Sequence, residues 1–119
     1  MTTKFIGEGK VIPYTAGADV LAGAVLVIGK TLGVATTDIA NGAIGHVAID
    51  GVFTCPKVSA AVFVKGENLI WDVSAQAFDD NLATPAAGDV SNCAVAWKAG
   101  ANTELTCEVL FRANIGTVT

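Results

Sequence analysis

From Gly42 to Lys57 the chain reads Gly-Ala-Ile-Gly-His-Val-Ala-Ile-Asp-Gly-Val-Phe-Thr-Cys-Pro-Lys, and this stretch constrains the fold more than any other. Val47, Ile49 and Phe53 fall on one phase of a two-residue period, with Gly51 between them, while His46 and Asp50 take the other phase. Successive side chains of a strand point to opposite faces, so the pattern predicts a β-strand over Gly45–Cys55 with one face buried. Pro56 withholds a ladder donor and marks the strand's end or an edge. No competing period appears: no window of eleven or more residues keeps an i, i+3, i+4, i+7 apolar stripe free of Gly or Pro.

β-Branched residues gather elsewhere in short runs separated by Gly, Asn and Asp. The expected strands are Lys10–Tyr14, Ala24–Ile28, Thr31–Ala35, Gly45–Cys55, Leu69–Val73, Asn92–Lys98 and Thr103–Arg112. Short strands at this spacing predict an all-β, mainly antiparallel domain, a small β-barrel or β-sandwich. At most one or two short helical turns are expected, at Thr37–Ala40 and Ser59–Ala61, capped by Thr37 or Ser59. Gly29-Lys30 between Ile28 and Thr31 reads as a tight hairpin connection. Asp79–Asp89, with Pro85 and Gly88, reads as a long surface loop. No internal repeat stands out. At 119 residues the chain is expected to hold residues 1–14 as an extended arm or first strand and residues 15–119 as one β-rich domain.

The last two strands suggest a register. Folding about Gly100 sets Cys93 against Cys107, Val95 against Leu105 and Trp97 against Thr103. Cys93, Val95 and Trp97 would then share an apolar face with Cys107, Val109 and Phe111, leaving Ala94 and Ala96 on the polar face. That pairing raises the question of a Cys93–Cys107 disulfide, against two reduced core thiols.

Composition narrows the function. Charged residues make up 15% of the chain, where about 25% is ordinary, so part of the surface is expected to be covered by a partner. The formal charge is −4 and the seven cations are scattered singly, which leaves no basic footprint for nucleic acid. The longest apolar run, Leu21–Gly29, is shorter than the ~20 residues of a membrane helix. Gly7-Glu8-Gly9-Lys10 interrupts any leader-like apolar stretch, and three cysteines fit a reducing compartment, so synthesis in a cytoplasm is expected.

Candidate chemistry is sparse. His46 and Asp50 share a strand face and could orient an imidazole, but no serine or cysteine is evidently aimed at them. Cys55, Cys93, Cys107 and His46 lack the close pairs that pre-form a zinc site. Asp79, Asp80 and Asp89 lack a calcium-loop rhythm. No catalytic residue, metal or cofactor is expected. Trp71 sits on an apolar phase and reads as core, while Trp97 suits core rim or interface equally. In the amino-terminal stretch, Phe5, Ile6, Val11 and Tyr14 are apolar within an extended, Gly-punctuated segment. Either it forms the domain's first strand, or it is an arm that orders on docking to another protein.

Several segments resemble the small tailed-phage capsid cement, or head decoration, proteins. The likeness runs from Phe5-Ile6-x-Glu8-Gly9-Lys10-Val11-Ile12-x-Tyr14 through Ala22–Gly29 and Gly33-Val34-Ala35. It continues through Asp38-x-Ala40-x-Gly42, Gly45, Val47, Gly51-Val52-Phe53 and Pro56-Lys57, then Gly66 with Leu69-Ile70-Trp71-Asp72, and ends in Ala94–Phe111. Cys55 and Asn92-Cys93 depart from the family's usual residues. The resemblance implies a catalytically silent structural virion protein. It would bind the major capsid protein on the outer head surface and stabilise the head, as a homo-oligomer, often a trimer. Phe5, Ile6, Val11 and Tyr14 are then candidate capsid contacts. The alternatives are another phage structural part, of tail or baseplate, or a small-molecule-binding or enzymatic β-barrel using His46 and Asp50.

Overall fold

The computed structural model describes residues 3, 6–7, 9–81, 84–112 and 116–119. Among them are eleven strands and no helix: β1 (Val11–Thr15), β2 (Val25–Ile28), β3 (Thr31–Ala35), β4 (Ile44–Ala48), β5 (Gly51–Pro56), β6 (Ile70–Asp72), β7 (Ala77–Asp79), β8 (Val90–Ser91), β9 (Ala94–Ala96), β10 (Thr106–Phe111) and β11 (Thr117–Val118). They form three antiparallel sheets, ordered β1-β4-β3-β2, β5-β10-β9 and β11-β8-β6-β7. The all-β expectation holds.

The first sheet contains an internal repeat that the sequence reading missed. Asp19-Val20-Leu21-Ala22-Gly23-Ala24-Val25 and Asp38-Ile39-Ala40-Asn41-Gly42-Ala43-Ile44 are copies offset by nineteen positions. Their backbone bonds match one for one. Gly23 N–H donates to Ala35 O at 2.7 Å and Gly42 N–H to Ala16 O at 2.8 Å. Ala35 N–H donates to Ala24 O at 2.9 Å and Ala16 N–H to Ala43 O at 3.0 Å. Strand pairing obeys the same offset: Thr15 faces Ile44 as Val34 faces Val25. Val20 and Ile39 exchange backbone bonds at 2.8 Å, so they lie on the pseudo-two-fold axis. The repeat rests on Asp, Gly and Ala at matched turns, with apolar residues exchanging freely elsewhere.

The expected single strand Gly45–Cys55 is two strands in two sheets. β4 stops at Ala48, and β5 restarts at Gly51 with φ 130°, a conformation that L side chains rarely adopt. Ile49 N–H reaches Lys10 O at 3.0 Å, still in the first sheet, while Phe53 already packs on the main core. Thus the glycine that fitted the two-residue period is the corner where the chain changes sheets. The β2–β3 hairpin is as expected, with Gly29 (φ 60°) and Lys30 between Ile28 and Thr31. No helix forms at either candidate turn, which agrees with at most one or two: Val20 and Ile39 bridge at the first, and Val58 O accepts Ala61 N–H across a simple turn at the second.

The Gly100-centred register is also corrected. Ala94 faces Phe111, Val95 faces Leu110 and Ala96 faces Val109. Ala94 and Ala96 point inward and are buried, while Trp97 and Leu105 are exposed. The cause is local. Residues 97–105 do not close a tight hairpin, because Phe63 and Gly100 exchange backbone bonds (3.1 and 3.0 Å) and Thr103 N–H donates to Ser59 O at 2.8 Å. Small residues are required inside because the facing strand already fills that space with Phe111, which meets Phe53 and Phe78 edge-on at 5.7 and 5.8 Å. Trp71, also buried, completes this cluster against Phe78 at 4.9 Å. A second, smaller cluster of Ala16, Ile39 and Val47 lies under the first sheet.

Candidate docking surface

The candidate contact residues lie on and before β1, an outer strand of the first sheet. Phe5 lies outside the described residues. Ile6 is 97% exposed and Val11 50%. Tyr14 is half-buried, packed with Ile12 against Ala16, Ile39 and Val47, so only part of it is offered to a partner. Bonds from Ile49 N–H to Lys10 O and from Ala16 N–H to Ala43 O set the ladder's phase. The backbone groups of Ile12 and Tyr14 therefore face β4, and those of Val11, Pro13 and Thr15 face the open edge. Pro13 thus costs the ladder no bond, and it removes one donor from that edge.

A second apolar surface covers the outer face of β5-β10-β9. Leu110 stands between Val52 and Val95 as a row of three directly opposed side chains. Trp97, half exposed, lies two positions beyond Val95. The same face holds a shallow pocket of about 450 Å³ bordered by Asn68, Asn92 and Arg112. Its lining holds no acid–base pair, and its one thiol, Cys93, is buried. Val62, Val64 and Leu105 are further exposed apolar positions around the 58–66 and 97–105 loops.

His46 and Asp50 do not form a site. His46 is exposed in β4 opposite Pro13, whereas Asp50 lies in the sheet-changing corner 3.7 Å from the Arg112 guanidinium. Burial pushes the Cys55 thiol up to about 12 and those of Cys93 and Cys107 up to about 11, so in the closed fold they stay protonated at neutral pH, where the thiolate is the reactive form. Among the described residues, no three His, Cys, Asp or Glu side chains are grouped to hold a metal.

The buried charges are structural, whereas in the sequence Asp89 stands only as one of three loop acids and Lys57 only as part of the Pro56-Lys57 likeness. Lys57, 3% exposed, donates through Nζ to the carbonyls of Val58, Ser59 and Glu104 at 2.8, 3.1 and 3.2 Å. It ties the start of the 58–66 loop to the approach of β10. Asp89, 4% exposed, accepts Val73 N–H at 3.1 Å and Ala86 N–H at 2.9 Å, pinning the long loop to the end of β6. The only sequence signal for either was Lys57 following Pro56 at a strand end.

A family model described as phage cement protein matches residues 6–111. No curated protein and no solved structure gave a match.

Proposed function

The chain belongs to the phage cement protein family, and from that premise we propose that it binds the outer surface of an assembled phage head and stabilises it without catalysis. A structural role at the phage capsid is the family's; the outer placement, the gain in head stability and the contact residues are this proposal. The observation that carries it is the span of the match, residues 6–111, which takes in nearly the whole folded domain. Supporting it, the signature residues are spent on architecture. Gly51 turns the chain between sheets, Phe53 packs on Phe111, and Lys57 holds a loop.

In this reading the partner is the major capsid protein, and the chain also associates with itself, as a trimer. Within residues 1–14 the segment before β1 acts as the docking arm and β1 is the first strand of the body, which residues 15–119 complete. Phe5, Ile6, Val11 and the exposed part of Tyr14 make contact. Synthesis is in the bacterial host cytoplasm and the final location is the virion. Many copies on a repeating lattice turn modest apolar contacts into lasting attachment.

The test is co-sedimentation of the purified chain with heads that lack it. The expected result is saturable binding to heads, not to tails or baseplates, and heads that survive higher temperature. Deleting residues 2–10, which removes one ladder bond at Lys10, should leave the chain folded and abolish binding. Normal decoration by the truncated chain would remove the arm from the docking surface. Failure of the full chain to sediment with heads, or sedimentation with tails instead, would overturn the reading itself.

A further inference from the structure

Cys107 faces Cys55, not Cys93, in the β5–β10 ladder. Lys57 N–H donates to Leu105 O two positions along the same ladder, so the alternation makes Cys55–Cys107 a pair that exchanges backbone hydrogen bonds. Such pairs have Cα atoms about 5.5 Å apart, inside the range a disulfide spans, with both side chains on one face but farther apart than in a pair without backbone bonds, so closure must draw the two Cβ atoms together. Here that face is the core, where Cys55 is 3% and Cys107 8% exposed. Each thiol makes only a long contact to a carbonyl, Cys55 Sγ to Phe53 O at 3.8 Å and Cys107 Sγ to Pro56 O at 3.9 Å. After burial, the neighbouring Cys107 is the second cause that holds Cys55 protonated.

We propose that Cys55 and Cys107 are an oxidisable dithiol that closes into a disulfide when the folded domain meets a low-molecular-weight disulfide, stapling β5 to β10. Cys107 Sγ, as thiolate, attacks one sulfur of the oxidant and expels one small thiolate, which takes up a proton. Cys55 Sγ, deprotonated in turn, attacks Cys107 Sγ of the mixed disulfide and expels the second. The protein loses two protons and two electrons, and one oxidant disulfide becomes two thiols. Burial raises both thiols, but at Cys107 the Lys57 ammonium opposes burial and the Glu104 carboxylate, whereas at Cys55 burial and Cys107 act together, so Cys107 is the first attacker. Access requires β5, an outer strand of its sheet, to separate locally, so closure is slow. A chain folded in a reducing cell would acquire the staple only after release. This inference is independent of what the domain binds.

The experiment uses the full chain with Cys93→Ala, treated with oxidised glutathione at about pH 8.5, near the ordinary thiol pKa. The expected result is loss of both denatured-state thiols and a mass lower by two hydrogens. Non-reducing digestion should yield a peptide joining Cys55 to Cys107, and the melting temperature should rise by about 10 °C, reversed by reductant. Adding Cys55→Ala or Cys107→Ala should stop the chemistry at a glutathione adduct. Two outcomes would overturn the proposal: both thiols, or stable adducts, persisting in urea just below the unfolding transition, or a cross-link that lowers the melting temperature. If Cys93→Ala fails to fold, the same digestion on the unaltered chain gives the answer, since only a Cys55–Cys107 peptide agrees with it.

Discussion

Asp19 and Asp38 hold each other's loops: Asp38 Oδ1 accepts Ala22 N–H, and Asp19 Oδ1 accepts Asn41 N–H, both at 2.8 Å. Each aspartate sits at the start of one copy of the repeat and satisfies a backbone donor in the other, three positions after the matching aspartate. The two β-units of the first sheet are therefore interlocked rather than merely adjacent. Between them Val20 and Ile39 close the contact with reciprocal backbone bonds.

This symmetry makes a quantitative prediction. Asp19→Ala and Asp38→Ala each remove one charge-assisted cap at an exposed site, and each should cost about 1 kcal/mol in urea unfolding. The two losses should agree within about 0.5 kcal/mol, because the geometries match. Unequal losses beyond that would show that the repeat is energetically broken.

Lys57 offers a sharper case. Lys57→Met keeps the apolar stem but leaves three converging carbonyls without their shared donor, so a loss of about 2–3 kcal/mol is expected. Lys57→Arg should also destabilise, since a planar fork cannot replace three donors on one nitrogen. Denaturant midpoints with an unchanged m-value would check both, and an arginine variant as stable as the parent would refute the geometry.

A third prediction concerns close approach. A Cβ at Gly45 would stand 2.5 Å from Ile39 Cδ1 and Cγ1, in the interlocked region. Gly45→Ala should cost about 1–3 kcal/mol through forced repacking. In an Ile39→Ala background, which removes the obstructing atoms, the same change should cost at least 1 kcal/mol less. A double-mutant cycle with no coupling would count against the contact.

Much of this fold was readable from residue order, and the failures have one physical origin. Trp71 and the Gly29-Lys30 hairpin were legible because each is decided locally, by alternation or by turn chemistry. The β9–β10 register was not. Inward alanines and an outward Trp97 invert the usual size pattern, and the reason is Phe111 on a strand ten or more residues away. Gly51 likewise fits an alternating strand until the pull of two different cores bends the chain there. At the candidate surface, exposed Ile6 and Val11 were foreseeable from an apolar, Gly-punctuated start. The row Val52–Leu110–Val95 was not, because it exists only once three separate strands are in register. The burial of Lys57 was not legible because a buried cation depends on carbonyls that sequence does not display.

The three buried thiols should govern alkaline stability. Their folded pKa values, about 12 for Cys55 and about 11 for Cys93 and Cys107, are raised above the ordinary 9.0, mainly by burial. Above pH 9 the unfolded chain loses protons that the folded chain keeps, so the unfolded state binds fewer protons and stability falls as pH rises. Below pH 9 both states are protonated and the contribution is complete. Between pH 9 and 11 each thiol can lower stability by up to about 1.4 kcal/mol per pH unit. The urea midpoint of the reduced chain should therefore drop steeply across this range. Replacing one thiol, as in Cys93→Ala, should remove about a third of the slope even though it opens a small cavity. Closing Cys55 and Cys107 by oxidation should remove about two thirds, because a disulfide has no proton to lose. A slope unchanged by either would mean that the thiols ionise as readily inside the fold as outside it.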